Sequence, residues 1–414
     1  MRYARFNLLS FFVIILLLLQ VKFFYLLPFE QFYNINSNQQ QILMVIVSLV
    51  TILFTDLRPI TKLKTNKFKL AILFFLIYYL LELVYSAIKN GQGILNAFVA
   101  SNFYLMILTF FIFSYYIQEY GIRKFNNWVL VISLLNIIVC WLQFFLGSHG
   151  IFITKISTDS IRFGTIRISD MSETVTCLGI LIASSRFAFI RGKNRWKYFL
   201  MMLLGIIGNL IVSKGRITII ALIVSMTVIF LIERRGKLLQ ILFFLLLSLV
   251  CIAGFFNTPI GRLYYSSLDS VETDTASIRQ REYSYYNLQT KSSTSNFLFG
   301  VGFIRDNGDG MSVYMKGPTH DYSRSDIGIN GIANAIGLIG AIWYIILLFR
   351  CGIYIYMSRK NVSKCTYSII VSFFIFQLIY IPTMATLNPF SITSFTILLS
   401  FVNFIVGEDL NVKN

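Results

Sequence analysis

Two positive charges, Lys214 and Arg216, stand in a short polar break, SKGR, between two long apolar runs. A guanidinium at such a place can hold an oxyanion, because its planar fork matches phosphate bidentately. The competing reading is a pair of snorkelling side chains that reach lipid headgroups. Further cations, Arg279 and Arg281, follow in SIRQREYSYYNLQTKSSTSNFLFGVGFI (277–304), spaced among Tyr283, Tyr285 and Tyr286. Then THDYSRSDIGINGIANAIGLIG (319–340) sets His320, Asp321 and Asp326 just ahead of a glycine-rich run. An imidazole with an ordinary pKa of about 6.5 takes a proton at neutral pH. Asp326 is placed either to act as a base itself or to cap the helix that follows. The combination is one of cations for an anionic group and a base for a hydroxyl proton.

Other chemistries fit less well. RDNGDGM (305–311) has the look of a calcium loop but misses the full spacing and the late Glu, so no metal is expected. Gly300 and Gly302 in NFLFGVGF lack the strand, helix and Lys-Ser/Thr context of a phosphate loop; a turn with close backbone packing is the expected role. Five cysteines are scattered, mostly inside apolar runs, with neither disulfide nor zinc spacing. They read as small buried hydrophobes.

The elements that carry these residues are set by composition. The chain has 414 residues, 56% of them hydrophobic and only 13% charged, with a mean hydropathy of +0.71. That excludes an ordinary soluble domain. Apolar runs near the ~20 residues needed to span a bilayer recur along the chain. The expectation is an all-α polytopic membrane protein of about 12 transmembrane helices with one large extracytoplasmic loop. The spans fall near 6–27, 41–57, 70–88, 95–117, 127–147, 174–190, 198–212, 217–232, 238–256, 327–349, 366–383 and 390–406. Lys and Arg crowd alternate connections: Arg58 to Lys69, Arg123 and Lys124, Arg191 to Lys197, Arg234 to Lys237, and Arg359 to Lys364. The positive-inside rule makes those connections and both termini cytoplasmic, and it accounts for the net charge of +18 without nucleic acid. SKGR and the long loop, 257–326, then fall outside. The first half of 277–304 suits an amphipathic surface helix. Gly328, Gly331, Gly337 and Gly340 suit close helix packing in lipid. Glu82 and Arg186 are isolated intramembrane charges, not the midplane chain a proton-driven transporter needs, and no internal repeat is evident.

Over residues 200 to 350 the sequence resembles the O-antigen polymerase and ligase family of bacterial membrane glycosyltransferases. The resemblance is carried by the SKGR break, by LFGVGF (298–303) after a loop arginine, and by His320-Asp321 and SDIG (325–328) ahead of the glycine helix. It divides the chain into N-terminal spans (1–197), a polymerase-like core (198–350) and C-terminal spans with a short tail (351–414). It implies transfer of a glycan from undecaprenyl pyrophosphate to another lipid-linked repeat unit, on the outer face of the bacterial cytoplasmic membrane, for exopolysaccharide, capsule or O-antigen. Arg216, Lys214 and Arg279 or Arg281 are the expected pyrophosphate ligands. His320, Asp321 and Asp326 compete for the base, and Tyr283 and Tyr286 are expected against the glycan. No cofactor, metal or nucleic acid is implied; the lipid bilayer is, with a chain-length regulator and a flippase as further partners. The alternatives are a ligase, using the same chemistry on another acceptor, and a glycolipid flippase or transporter.

Overall fold

A computed structural model describes residues 2–26, 37–63, 67–147, 149–153, 161–162, 165–233, 278–305, 311–318, 322–384, 387–389 and 391–413. The principal helices are α1 (Arg2–Gln20), α2 (Ser37–Phe54), α3 (Lys69–Lys89), α4 (Ile94–Tyr120), α5 (Ile122–Gly147), α6 (Thr174–Phe189), α7 (Arg195–Ser213), α8 (Arg216–Glu233), α9 (Ile329–Met357), α10 (Lys364–Tyr380) and α11 (Ile392–Lys413). Between α5 and α6 lies a two-residue antiparallel pairing, Ile161–Arg162 with Thr165–Ile166. The expected span at 238–256 lies outside the described residues.

Among the described residues six helices, α2, α3, α4, α5, α7 and α9, are long and apolar enough to cross a membrane, and five further apolar helices are shorter. Their surfaces match a lipid solvent. On α3, Leu70, Phe74, Ile77, Leu81, Val84 and Ile88 are exposed, at spacings of three and four, while Phe75, Tyr79, Glu82, Leu83 and Ser86 are buried. That is an apolar stripe turned outward, with the polar groups turned in. Helix α6 is the hub, packed by α5, α7, α8 and α10 and buried from Thr174 to Ser185. Small residues permit the approach: a Cβ on Gly179 would lie 2.1 Å from Ser133 Oγ.

The alternating direction of the helices sorts the connections into two ends. At one end Lys67 NH reaches Asn403 Oδ1 at 3.4 Å, Arg350 donates to Lys67 O at 3.0 Å, and Ser185 Oγ donates to Cys365 O at 3.1 Å. The Lys/Arg-rich connections among the described residues gather there. The other end carries the SKGR break, the loop residues 278–305, 311–318 and 322–327, and residues 387–389 between α10 and α11.

Three local departures from the expected spans have physical causes. Helix α4 narrows to a 3-10 stretch at Asn102–Leu108. There Ser101 Oγ donates to Ala97 O at 2.8 Å and Asn102 Nδ2 to Val99 O at 3.1 Å, so short polar side chains compete for the helix carbonyls. Helix α9 is kinked at Ile336 and Gly337, the latter at φ 67° and ψ −177°. Asp326 does not cap α9. The chain makes a 3-10 turn over Arg324–Ile327, and Gly328, at φ 57°, takes the cap position. A Cβ on Gly328 would lie 2.1 Å from Ile381 O, so only glycine passes there.

Candidate functional site

The loop is anchored before it forms a site. A helix over 278–291 turns Glu282, Tyr286, Gln289 and Thr290 inward, at spacings of three and four, while Arg279, Arg281 and Tyr283 stay exposed. The helix is amphipathic as expected, but its buried stripe is polar and is met by polar partners. Tyr286 donates to Met315 O at 2.5 Å, and its own carbonyl accepts from Asn334 Nδ2 of α9 at 3.0 Å. Asn334 Nδ2 also reaches Thr290 Oγ1 at 3.1 Å.

The LFGVGF segment then lies across the kink of α9. Val301 NH donates to Asn334 O at 2.7 Å and Gly302 NH to Ala335 O at 3.2 Å. Tyr78 of α3 donates its hydroxyl to Ile336 O at 2.7 Å. Carbonyls freed by the kink are thus taken up by the loop and by α3, as buried backbone requires. On its other side the segment rests on α3 and α4. Phe303 NH donates to Ser86 Oγ at 2.9 Å, and Lys89 Nζ reaches Gly300 O at 2.9 Å.

This packing leaves a cavity of about 220 Å³. Its walls are Phe103 and Tyr104 from α4, Phe303 and Ile304 from the loop, the turn Ser323–Arg324–Ser325, the start of α9 at Gly328, Gly331 and Ala335, and Leu387 to Pro389. Among the described residues Arg324 is the charged one of the lining. Its Nη1 donates to Gly302 O at 3.1 Å and its Nη2 lies 3.5 Å from Met315 Sδ, while Nε is buried with no partner. Among the described residues Arg324 joins no salt bridge. Burial lowers its pKa, opposed by the nearby Tyr286, Tyr104 and Tyr314; an arginine nonetheless keeps its charge at neutral pH.

Behind this turn lie two carboxylates. Glu282 Oε1 accepts from Ser323 NH at 3.0 Å, and its Oε2 is buried without a partner. Asp326 is hydrogen-bonded by Ser325, whose hydroxyl also meets that of Ser323 at 2.7 Å. Burial pushes both carboxyls above the usual range, and the Arg279 guanidinium pulls both back in part. The turn therefore couples a buried cation in the cavity to a carboxylate whose proton affinity is raised.

The residues singled out in the sequence are placed unequally. Asp326 and Arg279 are brought together at the loop end. Arg281 and Tyr283 are exposed on the same helix, Tyr283 at 46%. Tyr286 is wholly buried, with no ring face open to a ligand. Lys214 is in a left-handed conformation, φ 54°, and its side chain is buried in the protein, not extended to headgroups. Arg216 opens α8, but its side chain lies outside the described residues, as do His320, Asp321 and most of the calcium-like stretch 305–311. The SKGR break shares the loop end: the hydroxyls of Thr218 and Tyr380 are hydrogen-bonded, and the residue after Tyr380 packs against Gly328. Arg324, Glu282 and Asn334 were not among the expected site residues. The available signals were the SRSD cluster itself and the i, i+4 spacing of Glu282 and Tyr286.

No protein-family model matches the chain, and a comparison with curated proteins finds no match.

Proposed function

We propose that the protein polymerises undecaprenyl-pyrophosphate-linked oligosaccharide repeat units at the outer face of the bacterial cytoplasmic membrane, without a metal. The observation that carries this reading is the turn 323–326, which holds a buried guanidinium in a cavity and a carboxylate beside Arg279, at the end of the helices opposite the basic connections. With the basic end cytoplasmic, that site faces outward.

In this reading Arg279 and Arg281, with Arg216 from the neighbouring break, receive the pyrophosphate of the donor. Positive charge where water is partly excluded stabilises the departing oxyanion. Asp326 takes the proton of the acceptor hydroxyl as its oxygen bonds to the anomeric carbon, and the carbon–oxygen bond to pyrophosphate breaks. His320 and Asp321 remain the other bases for this step. Tyr283, exposed beside Arg279, is the aromatic available to the glycan.

The test is polymer formation by purified protein supplied with lipid-linked repeat units. Asp326→Asn should give single units and no ladder while the protein remains folded. A normal ladder from that variant would remove Asp326 from the role and pass it to His320.

A further inference from the structure

We infer that the Arg324 cavity is a subsite for one sugar ring bearing a carboxylate, a uronic acid residue of the acceptor glycan. The inference rests on the polymerase reading for the source of the sugar, but its chemistry comes from the cavity itself.

Size comes first. At about 220 Å³ the space is smaller than the ~300–1,000 Å³ that houses a drug-sized ligand, so it accepts one ring and not a chain. The walls are of two kinds. Phe103, Tyr104 and Phe303 form an aromatic side, with Phe103 and Tyr104 centroids 4.1 Å apart and Tyr104 and Phe303 5.4 Å apart. The carbon-bound hydrogens of a pyranose present an apolar face that packs on such rings. Ser323 and Ser325 supply hydroxyls for ring oxygens, and the small residues Gly328, Gly331 and Ala335 leave the room.

The charge then selects the sugar. A guanidinium has five N–H donors; here Nη1 and Nη2 each engage one neighbour, and Nε engages none. Nη1 and Nη2 each keep a second N–H, and a carboxylate can take that pair in the planar two-bond arrangement, with Nε sealed off from the cavity. It also matches the charge, since Arg324 is the one charged residue among those described around the cavity. A pyrophosphate would bring more negative charge than one guanidinium balances. Ser325 lines the cavity and bonds to Asp326 behind the turn, so a ring seated here is separated from that carboxylate by one serine hydroxyl. This assigns the cavity to the acceptor.

The test is binding of soluble probes to the purified full chain in detergent, measured by calorimetry: methyl glucuronide, methyl galacturonide, methyl glucoside and glucose 1-phosphate. At least one uronide should bind about tenfold or more tighter than the glucoside, and Arg324→Gln should erase that preference. If Arg324→Gln does not fold, the wild-type preference still decides. Equal binding of uronides and glucoside, binding of no probe, or a preference for glucose 1-phosphate overturns the inference. A chain that prefers a uronide but makes no polymer loses the polymerase reading alone. One that polymerises without the preference loses the subsite alone.

Discussion

Gly300 and Gly337 meet backbone to backbone, so that a Cβ on Gly300 would lie 2.6 Å from Gly337 N and a Cβ on Gly337 2.1 Å from Leu298 O. Both have positive φ, 86° and 67°. The contact joins the long loop to a kinked helix, and the cavity holding Arg324 is bounded by the two of them.

Gly337→Ala is therefore expected to destabilise the protein by about 3 kcal/mol, from a conformation costly to any side chain and from the clash with Leu298 O. Thermal unfolding in detergent checks it. Gly300→Ala should behave alike, and the two together should cost less than their sum because they disrupt one contact. Additive losses would mean that the loop and the kink are independent.

Tyr78→Phe removes one hydroxyl and leaves Ile336 O without its 2.7 Å donor. The expected loss is about 1–3 kcal/mol, the range for a buried polar group left unpaired. Unchanged thermal stability would show that another donor satisfies the carbonyl.

Lys22 pairs with Asp170 at 2.7 Å and Glu173 at 3.3 Å, at the ends of α1 and α6. Lys22→Met should cost about 3 kcal/mol by leaving two carboxylates facing each other. The pH dependence gives the sign. Burial raises the Glu173 pKa and Lys22 holds it down, so in the variant it rises further. A folded-state pKa above the unfolded one means that stability returns as pH falls through it. Unfolding curves of the variant should therefore shift up on mild acidification, and a shift down would contradict the account.

Asp326 must be ionised to accept a proton, and its pKa is raised by burial and lowered by Arg279. Polymer formation should fail as pH drops through that raised value, above the usual carboxylate range. Arg279→Gln removes the opposing charge, so the acid limb of the rate profile should move to higher pH. A limb that stays in place would mean that another group is the base.

The helices were legible because solid apolar runs have one stable form in lipid. Gly300 and Gly302 were legible as a packing turn for the same local reason, their φ freedom. The kink of α9 was not, because its donors Val301 and Gly302 arrive from outside the helix and Tyr78 from α3. Nor was the choice among the loop cations. Arg305 donates to Asn96 at 2.9 Å and Arg281 stays at the surface, while Arg324 faces a cavity. Nothing in the residue types separates them, since burial is decided by contacts distant in the chain. The glycines of α9 illustrate the same limit. Gly331 and Gly337 make room for Arg324 O and Leu298 O, backbone of the protein's own loop, where the sequence suggested a neighbouring helix.

The most direct measurement is to delete the gene and analyse lipid-linked glycans and surface polysaccharide. Single repeat units accumulating on the lipid at the outer face, with no long polymer, is the predicted result. Units trapped at the inner face, which would make the protein a flippase, or polymer of normal length would contradict it.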